Sequence, residues 1–385
     1  MEAFEFSLPT KIIMGKERYD EVGQWCAPIG KKVLLHYGGG SIKKSGLYDR
    51  VRDALEAAGC EVTELGGVKP NPRIELVRAG AALCKEAGIE MILAVGGGSV
   101  IDSAKGIAAA ALADCDAWDL YTGAAVADAA LPVGVVLTIP AAGSECSAVS
   151  VVTKQDTHDK RSFHSDLVIP RFAILAPDVF TTLPRNQIAN ATVDVISHVL
   201  ERFFSDSTHV TLTDRLCIST VETAMQLGLW LYDHPEDVDV WGEFALTANI
   251  AHNGVLGQGR IEDWGTHGIG HELSAFYDMA HGASLAIATP AWMRYVAQEK
   301  PARFVQFARE IMHDYAQDEA QLIESAISDL EAFFHRLGLA TRLSEADLAG
   351  ADLEAMAQSV VKYKPRGQFK KLSAEDCLRI YELAR

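Results

Sequence analysis

Short apolar runs alternate with amphipathic stretches through the first half of the chain. Lys32–His36, Glu61–Leu65, Met91–Val95 and Val133–Ile139 read as strands. Between them Leu47–Ala58, Arg73–Ala87 and the alanine-rich Ser99–Ala113 repeat apolar residues at helical spacing. Such alternation predicts a parallel sheet covered by helices on both faces. Ser147–Val152 and Phe172–Leu175 read as further strands. After about Leu183 the strand-like runs stop, and long amphipathic patterns take over at Asn186–Phe204, Asp214–Leu231 and Ala316–Leu337. The expected fold class is an α/β N-terminal domain with a parallel sheet, residues 1–183, plus an all-α C-terminal domain, residues 184–385. No low-complexity linker divides them, so close packing around a cleft is expected.

A length of 385 residues agrees with two cores rather than one. The net charge of −17 argues against nucleic acid or an anionic membrane surface as partner, because both require basic surface. Seven cysteines lie scattered without a Cys-x-x-Cys pair, which fits a reducing compartment and buried thiols better than a disulfide framework. Met1–Gly15 lacks the basic start and apolar core of a signal peptide, and no apolar run reaches membrane-spanning length. A cytoplasmic protein with a small-molecule partner is expected.

Two glycine turns follow strands. Lys32–His36 runs into Tyr37-Gly38-Gly39-Gly40-Ser41, and Met91–Val95 into Gly96-Gly97-Gly98-Ser99 with a helix immediately after. Glycines there let backbone N–H groups approach an anion, and the helix N-terminus adds its positive dipole end. Ser99 is expected as N-cap, with Asp102 in a capping-box position. Neither turn spells G-x-G-x-x-G: Lys43 and Ile101 stand where the last glycine belongs. Tight-turn geometry explains one such turn, whereas two in a single α/β domain favour phosphate binding. The first turn carries Ser41, Lys43 and Lys44 and no acid, which suits an added phosphate and so NADP(H) over NAD(H).

Asp194 and His198 fall four apart in a helical stretch, on one face. Asn190, Ser197 and Glu201 share that face, opposite Val195, Ile196, Val199, Leu200 and Phe203, so for this pair alone a solvated amphipathic helix is the simpler reading. His267, His271 and His281 then crowd into one glycine-flanked stretch. His267 and His271 have the spacing of a metal pair, in which case His281 is a helix-start residue beside Gly282; spacing leaves open which two bind. Three histidines and one aspartate would suit one divalent metal, Fe2+ or Zn2+.

These motifs resemble the iron-dependent alcohol dehydrogenases, whose fold is shared with dehydroquinate synthase and glycerol dehydrogenase, and within them the NADPH-dependent aldehyde reductase and butanol dehydrogenase branch. The resemblance runs from Pro9–Gly15 to Arg379–Glu382. It is carried by Val68–Pro72, Gly96–Asp102, Thr138–Glu145, Asp194-x-x-x-His198 and the histidine stretch. It implies Asp194, His198, His267 and His281 as metal ligands and His271 as an unligated proton relay. It further implies Gly97, Gly98 and Ser99 at the pyrophosphate; Asp102, Thr138, Ser144 and Lys160 on the nicotinamide side; and Asn71 on the adenosine side. Gly38 and Ser41 match the adenosine-phosphate turn of the NADP-using branch. The chain departs from the family pattern at Ala176-Pro177-Asp178, where Asp-Pro is usual, and at Ala142 and Ser147, where larger polar residues are common.

The resemblance implies hydride transfer between NADP(H) and an alcohol/aldehyde pair, with small to medium aliphatic aldehydes as substrates and a homodimer as the assembly. The main alternative is a metal-dependent lyase of the dehydroquinate synthase type. A metal hydrolase leaves the glycine turns unexplained, and a degenerate binding protein does not fit four intact ligand positions. Trp118, Phe163, Trp264 and Met279 are candidates for an apolar substrate wall, set against ordinary packing.

Overall fold

The computed structural model describes residues 1–363 and 365–385. These fall into two compact units, Ser7–Leu183 with His234–Asn253, and Met1–Phe6 with Pro184–Asp233 and Gly254–Arg385.

The first unit holds a parallel sheet of six strands: β1 (Lys11–Met14), β2 (Lys32–Tyr37), β3 (Glu61–Leu65), β4 (Met91–Gly96), β5 (Val133–Leu137) and β8 (Phe172–Leu175), in the order β1-β8-β5-β4-β2-β3. Every residue of β4 and β5 is buried, which is why both are continuous apolar runs rather than alternating ones. From β2 the chain crosses to β3 on one side, then returns to β4 on the other and continues to β5. The winding direction therefore reverses between β2 and β4, and the crevice at their C-terminal ends is where open α/β sheets take ligands.

Two strand expectations need correction. Ser147–Val152 is not part of the parallel sheet. Its residues belong to β6 (Val149–Lys154), which pairs antiparallel with β7 (Asp159–His164) in a separate two-stranded ribbon. The strand read as Val133–Ile139 ends at Leu137. The edge strand β1 carried no pattern strong enough to be read, being four residues long with an exposed lysine at its start.

The second unit is helical. Its longer helices include Arg185–Phe203, Thr211–Asp233, Gly265–Tyr277, His281–Ala297 and Glu319–Arg336. Phe204, Trp292 and Phe304 cluster at its core, Phe204 stacking on Phe304 with ring centroids 4.6 Å apart and meeting Trp292 edge-on at 5.4 Å. Each such ring stabilises the fold by about 1.5–3 kcal/mol through burial. The helix Arg185–Phe203 is buried continuously from Ala191 to Phe203. Its polar face is not a solvated one, and that reading of Asp194 and His198 is overturned. No helix among the described residues is long and apolar enough to cross a membrane.

Candidate functional site

Asp194, His267 and His281 come together in the helical unit, with one ligand-capable atom of each within 4.8 Å of the others. Asp194 Oδ1 lies 3.9 Å from His267 Nε2 and 3.6 Å from His281 Nε2. His198 Nδ1 is 3.4 Å from the same oxygen, and the His198 ring is centred 4.7 Å from that of His267. His271, one turn beyond His267, is centred 5.4 Å from His281 and is only half-buried. The structure thus gathers Asp194, His267 and His281 around one point, sets His198 against Asp194 and His267, and leaves His271 beside them. His281 is both the first residue of its helix and a member of the cluster, so a helix-start position and a ligand position do not exclude each other.

The local fold explains the convergence. Asp194 and His198 share a face of one helix. The helix His281–Ala297 starts against that face, where the Asn190 Oδ1 accepts a hydrogen bond from the Ala283 N–H at 2.6 Å. Behind the cluster, Glu201 accepts hydrogen bonds from His267 Nδ1 at 2.8 Å, from the His267 backbone N–H at 2.8 Å and from the Thr266 hydroxyl. Burial pushes the Glu201 carboxyl up, but the hydrogen bonds from the His267 ring, the Thr266 hydroxyl and the His267 backbone N–H help to hold it below the usual range. The Trp264 ring stands 5.1 Å from His267, and the Arg202 guanidinium carbon lies 4.7 Å from the Trp264 ring centre.

These donors fit a divalent cation. His267 Nε2 is buried and makes no hydrogen bond, while its other nitrogen is bound to Glu201. A buried imidazole nitrogen aimed at a carboxylate and two further histidines is the arrangement a hard-to-borderline cation satisfies.

In the sheet unit the two glycine turns lie side by side, because Tyr37 is in register with Val95 across β2 and β4. Thr138 joins them, its N–H bonded to the Gly96 carbonyl at 3.1 Å. The helix Gly98–Ala110 begins one residue earlier than expected. Gly97 is its N-cap, and Ser99 makes no capping bond from that position. Side chains at Gly97 and Gly98 would press on Ile139 and Ala142 at 3.0 Å, so the loop after β5 approaches this helix start closely. Asp102 does not complete a capping box. Its carboxylate instead accepts from the Ser144 hydroxyl at 2.6 Å and the Val151 N–H at 3.1 Å, and burial raises its carboxyl against the pull of Lys105. Asn71 is buried with φ 53°, and its Oδ1 accepts from Lys160 Nζ at 2.9 Å. Gly38 follows directly on β2 and its carbonyl accepts from the Gly67 N–H at 3.1 Å, while Ser41 opens the short helix Ser41–Lys44.

Two residues escaped sequence reasoning. Lys105 is fully buried with five oxygens within hydrogen-bond distance of its ammonium: the carbonyl and hydroxyl of Ser144 and of Ser147, and the Val149 carbonyl, at 2.6–3.1 Å. Burial lowers its amine to about 8, opposed by Asp102 and Glu145. Its signal was a lysine four residues after Ile101 on the apolar face of an alanine-rich helix. Glu201 was seen only as part of a polar face; its spacing of seven from Asp194 was the available sign. Among the candidates for a substrate wall, Trp118 and Phe163 are packing residues around Tyr121, at 5.8 and 4.9 Å.

A parallel sheet with its switch point at two glycine turns, and a largely buried Asp/His cluster in a helical unit, are features that a nucleotide-dependent metalloenzyme requires. Comparison with known proteins makes this specific. Residues 9–177 match the family model described as iron-containing alcohol dehydrogenase, and residues 188–385 match that of the Fe-containing alcohol dehydrogenase family, C-terminal. The chain is 41% identical over 382 residues to a probable NADH-dependent butanol dehydrogenase of Bacillus subtilis (strain 168), covering 99% of both. It is 36% identical over 390 residues to an NADPH-dependent aldehyde reductase of Escherichia coli (strain K12), covering all of both. The crystal structure of an NADH-dependent butanol dehydrogenase A from Thermotoga maritima superposes with a TM-score of 0.96 at 38% identity, over 100% of this chain and 99% of that one. The chain belongs to the iron-containing alcohol dehydrogenase family and is an oxidoreductase of the alcohol dehydrogenase and aldehyde reductase kind. The lyase alternative is not favoured.

Proposed function

We propose that this enzyme reduces small to medium aliphatic aldehydes with NADP(H) in preference to NAD(H), as a cytoplasmic homodimer. The observation that carries the reading is the meeting of the buried Asp194 and His267 with the half-buried His281, with His198 against Asp194.

Asp194, His198, His267 and His281 would hold one divalent cation, Fe2+ or Zn2+. That cation supplies Lewis-acid polarisation of a carbonyl oxygen, and the nicotinamide supplies the hydride. The rest belongs to the chain's own residues. The Asp194 carboxylate contributes the negative charge of the site, and burial keeps its field unscreened. The His271 imidazole would relay a proton, passing one from a ring nitrogen to the product oxygen as its other nitrogen takes one up from solvent, which completes the alcohol. Gly97, Gly98 and Ser99 present the start of a helix to the pyrophosphate. Asp102 and Ser144, locked together, line the nicotinamide side with Thr138 and Lys160, and Asn71 takes the adenosine side.

Support for NADP(H) lies in the first turn, where Gly38 and Ser41 put no carboxylate. Glu64, on the adjacent strand β3, is taken by the Tyr37 and Tyr48 hydroxyls at 2.9 and 2.6 Å, with Lys43 3.9 Å away. The names of the relatives divide between NADH and NADPH, so both cofactors belong in the test.

That test follows oxidation of NADPH and of NADH by butanal, before and after chelation and after adding back Fe2+ or Zn2+. Turnover lost with the metal and restored by it, faster with NADPH, is the expected result. Equal or better turnover with NADH overturns the cofactor preference, and turnover indifferent to chelation overturns the metal site.

A further inference from the structure

Glu201 lies two helical turns beyond Asp194 on the same buried face, and is itself 2% exposed. One of its oxygens, Oε1, receives three donors: the Thr266 hydroxyl, the His267 backbone N–H and His267 Nδ1. A carboxylate that accepts from a ring nitrogen requires the proton to sit on that nitrogen. His267 is therefore held as the Nδ1–H tautomer, and its lone pair is left on Nε2, the atom that faces Asp194. The Glu201 carbonyl is tied in turn, accepting from the Asp263 N–H at 2.8 Å. The Asp263 carboxylate accepts from the Gly265, Gln368 and Phe369 N–H groups, at 3.0, 2.6 and 2.6 Å. The carboxylate and the start of the His267 helix are thus clamped to each other from two directions.

We propose that Glu201 is a positioning residue that fixes the tautomer and rotation of His267 and so sets the affinity of the site for its divalent cation. The inference rests on the reading that Asp194, His198, His267 and His281 hold a metal. Glu201 touches neither the cation nor substrate; it acts through His267. A purely structural role is the competing account, because the same oxygen also secures the first turn of the helix Gly265–Tyr277.

Chelator competition on the zinc-loaded enzyme separates the two. Glu201→Gln keeps an acceptor of the same shape for Thr266 and the backbone but removes the charge that makes His267 a stronger donor to metal. Outer carboxylate partners of metal-bound histidines change affinity by about 10–100-fold, so zinc should be held roughly tenfold more weakly in E201Q and approaching 100-fold more weakly in Glu201→Ala. The melting temperature of E201Q in excess chelator should match that of the unmodified enzyme. Zinc affinity of E201Q within about twofold of the unmodified enzyme overturns the proposal, and so does a fall in chelator-treated stability that accounts for the loss. An unmodified enzyme that retains no metal overturns the metal-site reading itself, whereas equal retention by both overturns only the role of Glu201.

Discussion

Gly282 lies directly against Asn190: a Cβ on this glycine would meet the Asn190 carbonyl oxygen at 2.1 Å and its Cα at 2.6 Å. Both are backbone atoms, so no side chain can swing away. This contact sets the distance between the helices that carry His281 and Asp194. Gly282→Ala should push the helix His281–Ala297 off its neighbour and draw His281 away from Asp194. The expected cost is about 1–3 kcal/mol of overpacking strain together with loss of stoichiometric metal. Metal content by elemental analysis, beside thermal melting, checks it. Full metal occupancy in a stable variant would show that the ligand geometry does not depend on this contact.

The glycines flanking the histidines were legible as a sign that something other than ordinary packing occurs there, yet their cause was not. Gly282 serves a close approach of two backbones, which no one-dimensional pattern contains. The parallel sheet was readable because β4 and β5 are buried on both faces and must be apolar throughout. The β6–β7 ribbon was only half readable. Asp159-Lys160-Arg161 carries charges that look solvated, although Asp159 and Arg161 are buried and paired at 2.9 Å. The Asp194 face misled for the same reason: polarity along a helix says that a face needs polar partners, not that water supplies them.

Lys105 offers a test of how the Ser144–Val149 segment is held. Its ammonium has three donors for five nearby oxygens, and no other described side chain reaches all of them. Lys105→Met keeps the stem but strands buried acceptors, with an expected loss on the order of 3 kcal/mol in urea unfolding. The Ser144–Asp102 contact should loosen with it and weaken nicotinamide cofactor binding. Unchanged stability would mean that water replaces the ammonium without cost.

Acid stability should depend on His36. Its Nδ1–H donates to the Leu65 carbonyl at 2.7 Å, and its Nε2 meets the Ser103 hydroxyl at 2.9 Å, which can donate to the neutral ring. Burial lowers it from 6.5 to about 4, only partly offset by the Leu65 bond. The folded value lies below the unfolded one, so between them the unfolded chain binds a proton that the native state refuses. The stability linked to this ring is fully present above pH 6.5 and is lost as pH falls towards 4. The shift corresponds to about 3 kcal/mol. His36→Gln has no such proton to bind, and its unfolding free energy should decline less than that of the unmodified enzyme across the same interval. Parallel pH profiles for the two proteins would remove His36 from the account of acid lability.

His267 and His271 sit one turn apart on the same helix, with ring centres 6.3 Å apart, and the proposed roles separate them sharply. His267→Ala removes a nitrogen that faces Asp194 and should abolish both metal retention and turnover. His271→Ala removes a half-buried ring beside the cluster. Metal content should stay at the unmodified level, while the rate of aldehyde reduction falls by about 100-fold, the lower range for a lost proton donor. The loss should be smallest at low pH, where water-derived acid substitutes for the missing imidazole. A pH–rate profile identical to that of the unmodified enzyme would remove His271 from the proton path. Loss of metal in His271→Ala would instead place it among the ligands, and the choice between His271 and His281 would have to be reversed.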